Sequence, residues 1–256
     1  MTVELCGRRV LVTGAGQGVG RSVALGFALA GADVVVNDLD VGRAECVAAE
    51  VAALGPTGIP AVFDVSDFDA VSGAVAGLGG VDVLVNNAGN AGAEGFGSRG
   101  VFAESDPAGW EPFLRVNLYG ALHCTRAVLP RMIEQSWGRV ITIVSDAGRT
   151  GDAGGAVYGA AKAGAAGLTR SVALESGRHG ITANNISLGT MRTEVTAPVW
   201  DEPDHPTARA IMRDYVIRRP GEPDEAASLA VYLASEQARW VTGQTIPLNG
   251  GYSFAL

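Results

Sequence analysis

The sequence predicts a single α/β domain built on a doubly wound parallel sheet with helices on both faces. Three observations predict it. Short apolar runs such as Val10-Leu11-Val12 and Val34-Val35-Val36 have the length and β-branching of strands buried on both faces. They alternate with longer stretches of helical spacing, the pattern of repeated βα units. The first strand runs into a glycine-rich turn and then a helix, through Thr13-Gly14-Ala15-Gly16-Gln17-Gly18-Val19-Gly20. With 256 residues, 47% of them hydrophobic, the chain suits one such domain over 1–256, and no linker or internal repeat divides it.

Composition removes several function classes. A net charge of −8 argues against nucleic acid as a partner. The cysteines Cys6, Cys46 and Cys124 are odd in number, widely spaced and form no C-x-x-C, which predicts a reducing, cytoplasmic compartment. His123, His179 and His205 are scattered, with no H-E-x-x-H, so no metal site is expected. No apolar run reaches the length of a membrane span and no signal-peptide pattern opens the chain, so no membrane partner is expected. The 36 glycines are about twice the usual share. A glycine motif here therefore counts only where its structural context supports it.

The elements follow in order. After the first strand, at Arg8 to Thr13, a helix runs through Ala30 and a second strand from Asp33 to Asp38. A helix over 42–54 stops at Gly55-Pro56, and Ile59 to Phe63 is the third strand. Asp67 caps a helix that ends near Gly79-Gly80. Val81 to Val85 is the fourth strand, leading into Asn86-Asn87-Ala88-Gly89 and a Gly-rich loop over 90–105. Pro107, with Asp106 or Ser105 as cap, opens a long helix to about Gln135 with Asn117 in its middle. Arg139 to Val144 is the fifth strand and ends at Ser145. A second long helix, about 155–177, carries Tyr158 and Lys162. Ile181 to Leu188 is the sixth strand. Over 193–219 the pattern is broken by Pro198, Pro203 and Pro206, and this segment is expected to be a substrate lid. Pro223 and Asp224 open a last helix through Ala234, and Thr245 to Leu248 is the last strand.

Two features carry chemistry. The glycine turn between strand and helix suits a pyrophosphate, because glycines admit a close backbone approach and the helix N-terminus favours negative charge. Its spacing, G-x-x-x-G-x-G, differs from the common dinucleotide fingerprint. Asp38 lies 18 residues after Gly20, at the end of the second strand. An acid there accepts hydrogen bonds from an adenosine ribose and repels the extra phosphate of NADP, and Gln17 in the turn adds no positive charge. Both features favour NAD over NADP. Asp38 can equally end a strand or cap the next helix. The second feature is Tyr158-x-x-x-Lys162, which puts a phenol and an ammonium on one helix face. A nearby ammonium lowers a phenol's pKa and makes it usable as a general acid/base. Taken alone, such a pair is more often a core tyrosine beside a snorkelling lysine.

Together, Thr13-Gly14-x-x-x-Gly18-x-Gly20, Asn86-Asn87-Ala88-Gly89, Ser145 and Tyr158-x-x-x-Lys162 resemble the short-chain dehydrogenase/reductase family in order and spacing. Ser145 stands 13 residues before Tyr158, as in that family. The resemblance runs from Leu5 to Gly251 and implies a Rossmann-type fold. It implies Tyr158 as general acid/base and Lys162 as the group that lowers its pKa and holds the nicotinamide ribose. Ser145 would hydrogen-bond the substrate oxygen, and Asn117 would hold a water linking Lys162 to solvent. The cofactor would be held by Gly14, Gln17, Gly18, Val19 and Gly20 at the pyrophosphate. Asp38, Asp64, Val65, Asn87, Ala88 and Gly89 would meet its adenosine side and the adjoining strand end. Met191 and Thr193 would meet the nicotinamide end. A homotetramer paired through the two long helices is also implied. One departure stands out: the family's Pro-Gly after the sixth strand is Leu188-Gly189 here, which puts the contacts of Met191 and Thr193 in question.

The stretch Ser145-Asp146-Ala147-Gly148-Arg149 is similar to members that oxidise cyclic hydroxyacyl-CoA esters, the 2-hydroxycyclohexanecarboxyl-CoA dehydrogenase type. Arg149, Arg192, Arg218 and Arg219 are candidate partners for CoA phosphates, although each is also a candidate for a surface charge or an internal ion pair. The expected activity is hydride transfer between NAD and a secondary alcohol or ketone, with a cyclic or β-hydroxyacyl-CoA as candidate substrate. Alternatives are an NADPH-dependent 3-oxoacyl-thioester reductase and, in another class, a non-catalytic dinucleotide-sensing module. A serine hydrolase is excluded, since Ser145 lies in Val-Ser-Asp and not in a G-x-S-x-G elbow.

Overall fold

The apolar runs form the strands β1 (Arg9–Val12), β2 (Asp33–Asn37), β3 (Gly58–Ala61), β4 (Val83–Asn86), β5 (Gly138–Ser145), β6 (Ile181–Leu188) and β7 (Thr245–Leu248). The helices between them are α1 (Gly18–Leu29), α2 (Val41–Ala53), α3 (Phe68–Gly77), α4 (Glu111–Leu114), α5 (Gly120–Glu134), α6 (Ala147–Thr150), α7 (Ala156–Ser176), α8 (Ala197–Asp201), α9 (Pro206–Met212) and α10 (Pro223–Ala234). The computed structural model describes residues 3–89, 100–202 and 204–254. All seven strands are parallel, in the order β3-β2-β1-β4-β5-β6-β7. The chain reverses its direction of winding between β1 and β4, and ligands of such sheets bind beyond the carboxyl ends of the strands at that point.

Alternation along the strands builds two cores. Val10, Val12, Val34, Val36, Val83 and Val85 face one side, where α1 contributes Val23, Ala24 and Phe27 and α10 contributes Ala227, Ala230 and Val231. Leu11, Val35, Leu84 and Val140 face the other, against Val71 of α3, Cys124, Val128 and Met132 of α5 and Val172 of α7. A side chain as fully enclosed as Phe27 contributes on the order of 2–3 kcal/mol. The two layers hold the strand ends, and the groups on them, in fixed register.

Local signals explain the helix starts. Asp67 caps α3, accepting from the N–H groups of Asp69 and Ala70. Asp40, not Asp38, caps α2 through the N–H of Arg43 at 2.9 Å. That leaves the Asp38 carboxylate for other partners. Glu222 and Glu225 form a capping box at the start of α10, around Pro223.

The expected continuous helix from Pro107 to Gln135 is broken. Pro107–Gly109 is a 3₁₀ turn, α4 follows, Arg115–Tyr119 is one π-helical turn, and only then does α5 begin. Pro112 has no N–H for an unbroken ladder. Asn117 sits in the π turn and its Nδ2 donates to the Phe113 carbonyl at 3.0 Å, a local bond of the kind that competes with α-helical pairing. Of the loop expected over 90–105, residues 90–99 lie outside the described residues. Phe102–Glu104 is a 3₁₀ turn whose Phe102 stacks on Trp110, with ring centres 5.3 Å apart.

The 193–219 segment carries α8 and α9 and is pinned at its base. Met191 and Gly221 form an isolated parallel bridge. The Arg192 N–H donates to the Gly221 carbonyl at 2.8 Å, and the Gly221 N–H to that of Thr190 at 2.9 Å. The excursion thus leaves and returns at one point beside the end of β6, as an Ω-type loop does.

Candidate active site

The glycine-rich turn is stitched to the end of β4. Thr13 Oγ1 accepts from the N–H groups of Asn87 and Ala88, both at 3.0 Å, and Asn87 Nδ2 donates to the carbonyls of Thr13 and Gly14 at 2.9 and 3.0 Å. Gly14 has φ +60°, and a Cβ there would lie 2.9 Å from the Ala88 Cα. At Gly20 a Cβ would overlap the Gly14 carbonyl and the Asn87 amide. Only glycine fits either position. Gln17 is the N-cap residue of α1 and makes no side-chain cap bond, so the first N–H groups of the helix remain available to an anion. Val19 packs on the core below, and Thr193 lies over Gly18, its Cγ2 3.5 Å from where a Cβ would stand. The cradle, open helix end and closed-packed floor fit a dinucleotide pyrophosphate.

Asp38 borders this cradle. It is 6% exposed and accepts from the Gly16 N–H at 3.1 Å and the Asp40 N–H at 2.9 Å. Its third partner was not foreseen: Arg43 Nη2 donates to Asp38 at 2.9 Å, while Arg43 Nη1 donates to Gln17 Oε1 at 3.1 Å. Gln17 adds no positive charge of its own, but Arg43 brings one to the border of the cradle. One turn of α2 brings Arg43 back over the end of β2, a placement that helical spacing could have revealed. Asn37 was also missed. Its Oδ1 accepts from the Gly14 N–H at 3.3 Å, and its Nδ2 donates to the carbonyls of Ala61 and Phe63 at 3.1 and 3.0 Å. A buried amide closing an otherwise apolar strand was the available signal. Asp64 turns inward on the Ser66 N–H at 2.8 Å, and Val65 is buried beside it.

Ser145, Tyr158 and Lys162 meet at the end of β5. The helical repeat of α7 sets Tyr158 and Lys162 one turn apart, with the ammonium 5.8 Å from the phenol ring centre. The Tyr158 hydroxyl faces the Ser145 side chain, and Ser145 Oγ accepts from the Ala147 N–H at 3.2 Å. Lys162 is 5% exposed and donates from Nζ to the Ile143 carbonyl at 3.0 Å. Burial holds its ammonium down to about 8. The Tyr158 phenol is pushed up from its ordinary value, chiefly by burial and further by Asp152, while the neighbouring Ser145 hydroxyl pulls it down. The Lys162 ammonium, turned to the Ile143 carbonyl, does not enter this balance. Asn117, 3% exposed, belongs to the same cluster. Its Oδ1 and Lys162 Nζ both lie against Gly89, 2.9 and 3.1 Å from where a Cβ would stand.

Met191 is buried and Thr193 half-buried where the excursion begins. The missing proline at Leu188-Gly189 is compensated by Tyr215. Its hydroxyl accepts from the Thr190 N–H at 2.8 Å and donates to Thr190 Oγ1 at 3.0 Å, clamping the loop from the far end of the segment. Three of the four arginines suggested for CoA phosphates are already paired. Arg149 pairs with Asp146 at 2.9 Å, Arg192 with Asp201, and Arg219 with Glu225 through two bonds. Of the four, Arg218 alone is exposed and makes no ion pair among the described residues. Among the described residues no cluster could hold a metal ion and no helix could cross a membrane.

A dinucleotide cradle beside a Ser-Tyr-Lys cluster defines a nicotinamide-dependent oxidoreductase of the short-chain type. Comparison with known proteins agrees. A family model described as enoyl-(acyl carrier protein) reductase matches residues 14–253. The (2S)-[(R)-hydroxy(phenyl)methyl]succinyl-CoA dehydrogenase subunit BbsD of Thauera aromatica is 38% identical over 250 residues, 96% of each chain. The gluconate 5-dehydrogenase of Burkholderia cenocepacia, solved with NADP and tartrate, superposes with a TM-score of 0.89 at 33% identity, over 99% of this chain and 98% of that one. A 3-oxoacyl-[acyl-carrier protein] reductase of Brucella melitensis with bound NAD gives 0.88 at 31% identity, over 99% and 95%. The chain belongs to the short-chain dehydrogenase/reductase family and is an oxidoreductase acting on CH–OH and keto groups with a nicotinamide dinucleotide.

Proposed function

We propose that the chain is an NAD-dependent dehydrogenase of secondary alcohols, with Tyr158 as general base in oxidation and general acid in reduction. The observation that carries the reading is the meeting of Ser145, Tyr158 and the buried Lys162 at the end of β5. In oxidation Tyr158 Oη takes the hydroxyl proton of the substrate. Ser145 Oγ then hydrogen-bonds the oxygen on which charge develops. Lys162, with an amine near 8, accepts and returns protons close to neutral pH. Asn117 holds the water that connects Lys162 with solvent. Bound over Gly14, Gln17, Gly18, Val19 and Gly20, with Asp64, Val65, Asn87, Ala88 and Gly89 toward its adenosine half and Met191 and Thr193 toward the other end, NAD supplies the hydride acceptor. Asp38 takes the adenosine ribose hydroxyls, and its charge disfavours a 2′-phosphate. The 193–219 segment covers the substrate, and residues 1–256 act as one unit.

The candidate substrate remains a cyclic or β-hydroxyacyl-CoA, supported by the similarity to the succinyl-CoA dehydrogenase subunit. The pairing of Arg149, Arg192 and Arg219 moves recognition of the CoA phosphates to Arg218. An NADPH-dependent 3-oxoacyl-thioester reductase is the second reading, favoured by Arg43 beside Asp38. A homotetramer is supported by the small exposed residues Ala160, Ala163 and Gly164 on α7, and by Leu174, 87% exposed on the same helix. The free thiols of Cys6, Cys46 and Cys124 suit a cytoplasmic setting.

The test is the initial rate of NADH formation over linear and cyclic β-hydroxyacyl-CoA esters, their free acids and simple secondary alcohols, with NADPH oxidation by 3-oxoacyl thioesters run alongside. Turnover of the CoA esters with NAD supports the first reading. Turnover confined to NADPH and 3-oxoacyl thioesters replaces it with the second, and binding of dinucleotide without turnover of any alcohol or ketone contradicts both.

A further inference from the structure

A buried polar cluster is built on Asp146, the residue after Ser145. Asp146 is 3% exposed, yet both carboxylate oxygens are doubly engaged. Oδ1 accepts from Ser187 Oγ at 2.6 Å and from Arg149 Nη1 at 2.9 Å. Oδ2 accepts from Ser253 Oγ at 2.9 Å and from Asn249 Nδ2. The backbone is held as well. The Asp146 N–H donates to the Leu188 carbonyl at 3.1 Å, and its own carbonyl accepts from Arg149 and Thr150, both at 2.8 Å. The end of β6, α6, the turn after β7 and the tail beyond it thus converge on one side chain.

The cluster reaches the site at two points. The turn it holds supplies the Ala147 N–H to Ser145 Oγ, so the seat of the serine hydroxyl follows the turn. Between Asn249 and Ser253, Tyr252 packs on Tyr215 with ring centres 5.2 Å apart, and Tyr215 clamps Thr190. A carboxylate is costly to bury, and apolar residues of similar volume stabilise a core at least as well. What this one adds is geometry, because its donors come from elements that border the site.

We propose that Asp146 is a positioning residue that seats Ser145 and, through residues 249–253, ties it to the loop at Thr190. The inference rests on the roles given above to Ser145 and Tyr158. An asparagine at 146 keeps the volume but offers one acceptor oxygen, so its NH₂ must face donors on one side.

The experiment is a double-mutant cycle of Asp146→Asn with Ser145→Ala, read as kcat, KM and the dissociation constant for the dinucleotide. Asp146→Asn alone is expected to lower kcat on the order of 10- to 100-fold, as sub-ångström misplacement of a reacting partner does, with dinucleotide binding within about twofold of the parent. In the Ser145→Ala background the same change is expected to cost less than about twofold, because its target is gone. Equal losses in both backgrounds overturn the positioning role and leave Ser145 in place. Full activity in Ser145→Ala overturns the underlying reading of the site, and this inference with it. Should Asp146→Asn fail to fold, Ser253→Ala removes a single donor and leaves the carboxylate paired. It is expected to lower kcat about threefold with Ser145 present and not without it, and equal losses refute the proposal.

Discussion

Lys162 should lower the stability of the fold that uses it. Burial brings its ammonium from 10.5 down to about 8. The folded state therefore gives up the proton more readily than the unfolded chain. Below pH 8 the charged form has to be carried into the core, which opposes folding. As pH rises from 8 to 10.5 the folded chain holds fewer protons than the unfolded one, and stability climbs. The gap between the two values, at about 1.4 kcal/mol per pH unit, corresponds to roughly 3 kcal/mol. Lys162→Met removes this cost and also the bond of a charged donor to the Ile143 carbonyl, which is worth about 2 kcal/mol. The variant should be more stable than the parent by about 1 kcal/mol at pH 7, a rise of about 3 °C in thermal midpoint for a chain of this size. The advantage should shrink steadily between pH 8 and 10.5, and turnover should be lost throughout. Thermal unfolding of both proteins at pH 6.5, 8, 9.5 and 10.5 measures it. A variant less stable at pH 7, or a difference that does not change with pH, refutes the reasoning.

Further outcomes follow from the same geometry. Gly14→Ala forces a side chain into φ +60° against Ala88, which should cost about 2–4 kcal/mol and weaken dinucleotide binding at least tenfold, seen in the thermal midpoint and by titration. Asp38→Ala removes the carboxylate and releases Arg43, so the ratio of kcat/KM for NADP over NAD should rise at least tenfold; an unchanged ratio removes Asp38 from cofactor choice. Because burial raises the Tyr158 phenol, kcat/KM for oxidation, which starts from the phenolate, should climb with pH on the alkaline side, and that for reduction should fall. Flat profiles in both directions contradict this.

Much of the fold was legible because its signals are local. The bounds of β6 and β7, the cap at Asp67 and the Pro223 start of α10 follow from residues within one turn or strand. So does the meeting of Tyr158 and Lys162, which one helical turn ensures. The long helix failed for a local reason too, since Pro112 and Asn117 break a pattern that apolar spacing alone carries across. The rest depends on contacts between distant parts of the chain. Asp146 finds Asn249 and Ser253 across 103 and 107 residues, and no spacing rule connects them. Arg149 looked available to a phosphate until that carboxylate took it. The phenol's direction of shift was misjudged for a similar reason: the tyrosine–lysine pair is visible in sequence, whereas the burial that dominates it is set by the packed fold.

The central claim is that Tyr158 transfers the proton. Tyr158→Phe tests it most directly, with turnover of the best alcohol substrate and dinucleotide affinity measured on the same preparation. Loss of turnover by at least a thousandfold, with dinucleotide affinity within about threefold of the parent, is the predicted result. Turnover near the parent's would contradict the assignment and move the acid/base role to another group at the end of β5.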